Sequence, residues 1–137
     1  MKVVIDASVA VKWVASEAGR AEALDLLDDG VERIAPQFLM IEVANVLWMK
    51  VRRGEFLQEQ ASSSFALIKD AVGRFVSDAD LMDRCIGLSR ELDRPAYDCV
   101  YLACAEREAA EMVTADTRLL AKLKQNIDWT RVRPLTS

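Results

Sequence analysis

Four acidic residues each interrupt or adjoin an apolar stretch of this sequence: Asp6, Glu42, Asp98 and Asp116. Two carboxylates about 4 Å apart repel each other by roughly 4 kcal/mol at an effective dielectric constant of 20. Four that meet at one site therefore need a cation among them, and oxygen ligands favour Mg²⁺ or Mn²⁺. Such ions activate water, hold a phosphate and stabilise a leaving oxygen, which suits phosphodiester hydrolysis.

The amino-acid composition excludes several other kinds of catalytic site. The chain contains no histidine, which excludes histidine triads, histidine acid-base pairs and His-ligated zinc hydrolases. Cys85, Cys99 and Cys104 lack Cys-x-x-Cys spacing, so we expect buried reduced thiols, no disulfide and no zinc site. The net charge of −4 argues against a general nucleic-acid coat protein, although a local basic patch and metal ions can still bind nucleic acid.

The length and hydropathy are those of a globular protein. With 137 residues, 52% of them hydrophobic and 29% charged, we expect a single domain over residues 1–137. Asp6 and Lys12 break the apolar character of the start before a signal peptide or a membrane span is reached. We therefore expect a cytosolic protein with no membrane contact.

Asp6 directly follows a run of β-branched residues. Val3, Val4 and Ile5 do not alternate with polar residues, which is typical of a central parallel strand covered on both faces. Ligands of parallel sheets bind at the carboxyl ends of the strands, where Asp6 stands. The alternative role of Asp6 is to cap the next helix, although Ser8 is a candidate for that cap.

Glu42 lies within a predicted helix from Pro36 to about Arg53 that is apolar nearly all round, so we expect it to be buried on most sides. A buried carboxylate without a partner is costly, and Asn45, three residues on, could hydrogen-bond it or a bound water. The alternative is a solvent-facing glutamate on a polar stripe with Asn45 and Arg52.

The other two acids stand at predicted helix starts. Asp98 lies in the first turn of a helix over 96–108, where the helix dipole favours an anion whatever its function. Asp116 follows a strand over 111–114 and opens the last helix, where N-capping explains it equally well. Thr114, at the end of that strand, could bind a metal-bound water or merely turn the chain.

The remaining segments complete an alternation of strands and helices. The further predicted helices cover 8–15, 20–29, 57–72, 77–92 and 116–124, and the further strands cover 33–35, 75–76 and 130–135, the last two at sheet edges. This order predicts a three-layer α/β/α domain with a short central parallel sheet and right-handed crossovers. Because Asp6 and Asp116 end parallel strands, we expect the four acids to meet at that edge.

Four segments, taken in order, resemble a known family: VIDASVAVKW at 4–13, EVANVLW at 42–48 after Ala35-Pro36, YDCVYLA at 97–103 and VTADTRLL at 113–120. They resemble PIN-domain ribonucleases of the VapC type, the toxins of bacterial and archaeal toxin-antitoxin pairs. The resemblance covers nearly the whole chain, and no member of the family's acidic quartet is missing.

The resemblance implies a PIN-like fold and an Mg²⁺- or Mn²⁺-dependent endoribonuclease. Its acidic quartet would be Asp6, Glu42, Asp98 and Asp116, with Ser8 and Thr114 assisting around the metals and Asn45 as a frequent neighbour. It also implies a homodimer and a small antitoxin that inserts a segment near the active site, often with a basic side chain among the acids. Candidate RNA phosphate contacts are Lys12, Lys50, Arg52, Arg53, Arg94 and Arg118, each of which could equally be ordinary surface charge.

Other classes with similar sheets fit less well. A haloacid-dehalogenase-like phosphatase needs a second acid two residues after Asp6, where this chain has Ser8. A receiver-type phosphoacceptor module is phosphorylated on an aspartate after a middle strand and needs a lysine after a late one. This chain has no acid pair near its start and no fitting lysine. A third alternative is a non-catalytic module that keeps the nuclease fold to bind an antitoxin or DNA without turnover.

Overall fold

A five-stranded parallel sheet forms the centre of the protein in its computed structural model, which describes residues 1–125 and 131–135. The strands are β1 (Lys2–Ile5), β2 (Glu32–Pro36), β3 (Arg74–Val76), β4 (Glu111–Thr114) and β5 (Val132–Pro134). Their spatial order is β3-β2-β1-β4-β5, and all four neighbouring pairs are parallel. The predicted central parallel sheet, with β3 and β5 at its edges, is confirmed.

Helices connect the strands and cover the sheet. They are α1 (Ala7–Ala10), which runs into a 3₁₀ turn (Val11–Trp13), α2 (Arg20–Asp25), α3 (Phe38–Arg52), α4 (Gln58–Val72), α5 (Asp78–Leu92), α6 (Ala96–Glu108) and α7 (Thr117–Leu123). Right-handed crossovers put the helices between β1 and β3 on one face of the sheet and those after β3 on the other. This is the predicted three-layer architecture.

The core explains the apolar run at the start of the chain. Val3, Val4 and Ile5 are fully buried because β1 lies between two other strands and has a helix layer on each face. Helix α6 packs against β1, β2 and β4, and its residues from Cys99 to Ala105 are all buried. The three cysteines are free and buried, as expected.

Helix α3 differs from its prediction in two respects. Pro36 ends β2 instead of opening the helix, which begins at Phe38. The helix is also not buried on most sides, because Ile41 is 67% exposed and Trp48 is 56% exposed. It packs through one stripe, formed by Leu39, Val43 and Leu47. An apolar surface and an apolar core look the same in sequence, which is why the prediction was wrong.

Two smaller predictions are corrected near α2. The helix ends at Asp25 instead of Asp29, because the chain tightens into i→i−3 hydrogen bonds such as Leu27 N to Leu24 O. The amphipathic pattern of residues 20–29 predicts that Leu24 lies on the buried side, but Leu24 is 41% exposed. Thr130, the predicted start of the last strand, lies outside the described residues. Within 1–125 and 131–135, no helix combines the length and the apolar character that crossing a membrane requires.

Candidate active site

The strand order reverses between β1 and β4, which lie side by side. From β1 the chain continues to β2, which lies toward one edge of the sheet. From β4 it continues to β5, which lies toward the opposite edge. At such a switch point the two connections diverge and open a crevice beyond the carboxyl ends of the strands. Asp6 follows β1 directly and Asp116 comes two residues after β4, so both lie beside this crevice.

Asp6 is held by three hydrogen bonds and is only 6% exposed. Its Oδ1 accepts from the backbone N of Val9 at 3.1 Å and from Ser8 Oγ at 2.6 Å, and its Oδ2 accepts from Thr114 Oγ1. Asp6, and not Ser8, is therefore the N-cap of α1. Burial raises the pKa of Asp6 to about 6, and the charge of Asp116 adds to this, although the three hydrogen bonds act to lower it.

Two hydroxyl groups link the ends of β1 and β4. Thr114 is fully buried, and its Oγ1 donates to Asp6 while accepting from the backbone N of Asp116 at 3.0 Å. Ser8 Oγ donates to Asp6 and accepts from the backbone N of Ala115 at 2.9 Å. The two hydroxyls thus fix the position of Asp6 relative to the loop that carries Asp116.

Glu42 reaches the same region from α3. It is partly buried, and its Oε1 accepts a hydrogen bond from the Tyr101 hydroxyl at 2.5 Å. Burial raises the pKa of Glu42, and the negative charges of Asp6, Asp98 and Asp116 raise it further. The charge of Glu42 therefore interacts with the charges of the other three acids. Asn45, on the same helix, is exposed, whereas Glu42 is partly buried.

Tyr101 is a site residue that sequence reasoning missed. Its hydroxyl binds Glu42, while its ring is 2% exposed and packs edge-on against Phe38, with 6.4 Å between ring centroids. The signal was its position three residues after Asp98, since residues so spaced share one helix face. One face of α6 therefore carries both the carboxylate of Asp98 and the hydroxyl that orients the carboxylate of Glu42.

The last two acids have different partners. Asp98 lies in the first turn of α6, as predicted, and its Oδ2 accepts from Arg94 Nη2 at 2.9 Å, with both side chains 21% exposed. Asp116 is exposed and caps α7, since its Oδ1 accepts from the backbone N of Arg118 at 3.0 Å and of Leu119 at 3.1 Å. The capping role allowed for Asp116 is present.

The side-chain oxygens of this site are of the chemical type that binds a hard divalent cation, but they are not arranged to bind one. Carboxylates and hydroxyls are the oxygen ligands that Mg²⁺ and Mn²⁺ prefer, and a cation among them would relieve the repulsion that raises the pKa of Glu42. Across residues 1–125 and 131–135, however, no three acidic or cysteine side chains converge closely enough to form a ready-made metal site. Binding such an ion would require the carboxylates to turn toward one another.

The candidate phosphate contacts have varied surroundings. Lys12 and Lys50 both pair with Glu17, at 3.2 and 3.8 Å, and Lys50 also pairs with Glu55. The Arg52 guanidinium stacks over the Trp48 ring at 5.2 Å. The other three are Arg94, which pairs with Asp98, and the exposed Arg53 and Arg118.

Comparisons with known proteins identify the family of the chain. The model of the PIN domain family matches residues 3–125, a span that includes all four acids. Among curated proteins, Ribonuclease VapC3 of Pyrobaculum aerophilum is 27% identical over 124 residues, which cover 89% of this chain and 95% of that protein.

Solved structures share the fold. PAE2754 from Pyrobaculum aerophilum has a TM-score of 0.73 at 21% identity, covering 98% of this chain and 90% of that one. VapBC-1 from nontypeable Haemophilus influenzae has a TM-score of 0.65 at 12% identity and full coverage of both chains. A toxin-antitoxin complex from Klebsiella pneumoniae has a TM-score of 0.66 at 12% identity, covering 98% of each chain. Because the family model matches residues 3–125, which are most of the sequence, the chain belongs to the PIN domain family.

Proposed function

We propose that this protein is a divalent-metal-dependent endoribonuclease and the toxin of a toxin-antitoxin pair. The observation that carries the proposal is the set of four acids, Asp6, Glu42, Asp98 and Asp116, coupled electrostatically beside the β1–β4 crevice of a PIN domain. The similarity to a protein named as a ribonuclease supports RNA as the substrate. The absence of histidine from the chain means that carboxylates would have to carry the hydrolysis.

The side chains of the crevice have separable tasks in this proposal. When bound, Mg²⁺ or Mn²⁺ would supply Lewis acidity and an activated water. Asp6, Glu42, Asp98 and Asp116 would hold the ion. Ser8 and Thr114 hold both oxygens of Asp6 in place before any substrate binds. Tyr101 orients Glu42 and stabilises its ionised form.

The substrate strand needs cations along its path. Arg53 and Arg118 are exposed and able to contact phosphates directly, and Lys12 and Lys50 could do so by exchanging Glu17 for a phosphate. Asn45, exposed one turn after Glu42, is the remaining polar group proposed to assist. The proposed RNA substrate would be met in the cytosol.

Cleavage of RNA by the purified protein tests the proposal. We expect cleavage with Mn²⁺ or Mg²⁺, no cleavage with excess chelator, and none by Asp6→Asn. Asp83→Asn makes the same change of charge on the exposed surface of α5 and should cleave like the wild type. Undiminished cleavage by Asp6→Asn, or in chelator, would overturn the assignment. RNA binding without any cleavage would instead favour a non-catalytic module.

The proposed protein partners are a small antitoxin and a second copy of the chain. Two structural neighbours are named as VapBC-1 and as a toxin-antitoxin complex, which supports the antitoxin. Exposed apolar side chains on two surfaces, Ile41 and Trp48 on α3 and Ile86 and Tyr97 on α5 and α6, support contacts with partners. Sedimentation of the purified chain should give a dimer, and co-expression with a short neighbouring reading frame should give a complex that no longer cleaves RNA. A monomer at all concentrations would contradict the homodimer.

A further inference from the structure

Arg94 provides the positive charge beside the acidic cluster. Its Nη2 donates to Asp98 Oδ2 at 2.9 Å, and its buried Nε has no hydrogen-bond acceptor within residues 1–125 and 131–135. Arg94 therefore places a positive charge on one of the four proposed metal ligands.

The other three acids are bound by neutral donors. Asp6 accepts from two hydroxyls and a backbone N, Glu42 accepts from the Tyr101 hydroxyl, and Asp116 accepts from backbone N atoms of α7. Within residues 1–125 and 131–135, Asp98 alone of the four forms an ion pair. A neutral donor can share a carboxylate with a metal ion, whereas a guanidinium on that carboxylate is repelled by the metal.

The backbone holds Arg94 in place for this contact. Asp93 ends α5 in the left-handed conformation, with φ of 52°, and Pro95 is the N-cap of α6 and restricts the residue before it. The backbone N of Arg94 donates to Ser89 O, and its carbonyl accepts from Cys99 Sγ. The guanidinium can thus leave Asp98 only by rotation of its side chain.

We propose that Arg94 is a built-in counter-cation of the acidic cluster, which competes with a divalent cation for Asp98 and so weakens metal binding. The inference rests on the proposed function, since it requires a metal at this site. It gives Arg94 a part in setting the metal affinity of the enzyme, in place of the direct phosphate contact expected from sequence.

Binding of Mn²⁺ alone to the full chain, followed by electron paramagnetic resonance of the free ion, tests this without RNA. Arg94→Gln should bind Mn²⁺ roughly fivefold more tightly than the wild type, the size expected for losing a partly exposed ion pair. Arg94→Met, which keeps the length of the side chain, should do the same, and Arg94→Lys should stay near the wild type. Arg90→Gln is the control, because it removes the same charge from an exposed position on α5.

The Asp98→Asn variant tests whether the effect of Arg94 depends on its ion pair with Asp98. There the change Arg94→Gln should no longer affect Mn²⁺ affinity, because the competed carboxylate is gone. Suppose that the wild type binds Mn²⁺, but that Arg94→Gln and Arg94→Met both bind it no more tightly than Arg90→Gln does. That result would overturn the role of Arg94 as a counter-cation and leave the proposed function standing. If the wild type itself binds no Mn²⁺, the metal site of the proposed function fails, and the inference fails with it.

Discussion

Tyr101 on α6 donates its hydroxyl hydrogen to Glu42 on α3 at 2.5 Å, joining helices from two different layers of the fold. Because α6 also carries Asp98 in its first turn, this contact fixes the distance between two acids from separate parts of the chain. The hydroxyl lowers the pKa of Glu42 against the larger effect of burial. Tyr101 therefore acts on the site as a positioning residue.

The change Tyr101→Phe tests that role. It keeps the buried ring but removes the donor, so we expect the Mn²⁺ affinity and the rate of RNA cleavage to fall about tenfold, as for losing a hydrogen bond to a charged group. Without the donor the pKa of Glu42 rises further, so the acid limb of the pH profile should move to higher pH. Tyr97→Phe, at a 61% exposed position on the same helix, should change neither. An unshifted profile for Tyr101→Phe would contradict the positioning role.

The buried charge of Asp6 should destabilise the protein when chelator keeps metal away. An acid whose folded pKa is raised from 3.8 to about 6 contributes no penalty below pH 3.8, a growing penalty up to pH 6 and the full penalty above it. Asp6→Asn keeps the cap of α1 and should raise the free energy of unfolding near neutral pH by up to about 3 kcal/mol. The gain should disappear at acidic pH, where Asp6 itself is protonated.

Urea denaturation of wild type and Asp6→Asn at several pH values measures this difference. Asp83→Asn, at an exposed position, should unfold like the wild type at each pH. Adding Mn²⁺ should reverse the order, since an ion bound to the native wild type stabilises it and the variant would lose that ion. A variant less stable than the wild type at neutral pH in chelator would show that burial does not dominate at Asp6.

Thr114→Val should weaken the junction of β1 and β4. It preserves the shape of a fully buried side chain but leaves Asp6 Oδ2 and the backbone N of Asp116 without their partner. We expect a loss of about 1 to 3 kcal/mol in the free energy of unfolding. The pKa of Asp6 should rise because a donor that lowers it is gone, so the loss should be smaller at acidic pH. Thr117→Val, at the exposed start of α7, should be nearly neutral.

The three cysteines should be inert in the folded protein. All are buried, and burial raises the pKa of each thiol, which keeps the reactive thiolate scarce. A thiol reagent should modify none of them in native buffer and all three after denaturation in guanidinium chloride. Rapid modification of one thiol in the folded protein would show that α5 or α6 opens readily.

The sequence predicts the strands and helices better than it predicts the contacts between side chains. Strand β1 could be predicted because an unbroken β-branched run is typical of a parallel strand that is buried on both faces. The exposure of Trp48 could not be predicted, because apolar periodicity does not distinguish a buried apolar face from an exposed one. Glu42 stands out in the sequence as a charge within an apolar helix, and the sequence suggests Asn45, on the same helix, as its partner. Tyr101 is 59 residues away, and only the packing of α3 near α6 brings the two together.

The adjacency of β1 and β4 also constrains the stage of synthesis at which the proposed nuclease site can form. Asp6 and Thr114 bond across 108 residues of chain, so the crevice is incomplete until β4 has left the ribosome and inserted beside β1. A growing polypeptide that carries only the first three strands holds Asp6 and Glu42 but lacks Thr114 and Tyr101, which bind them. The proposed nuclease activity therefore cannot begin until nearly the full chain has been synthesised.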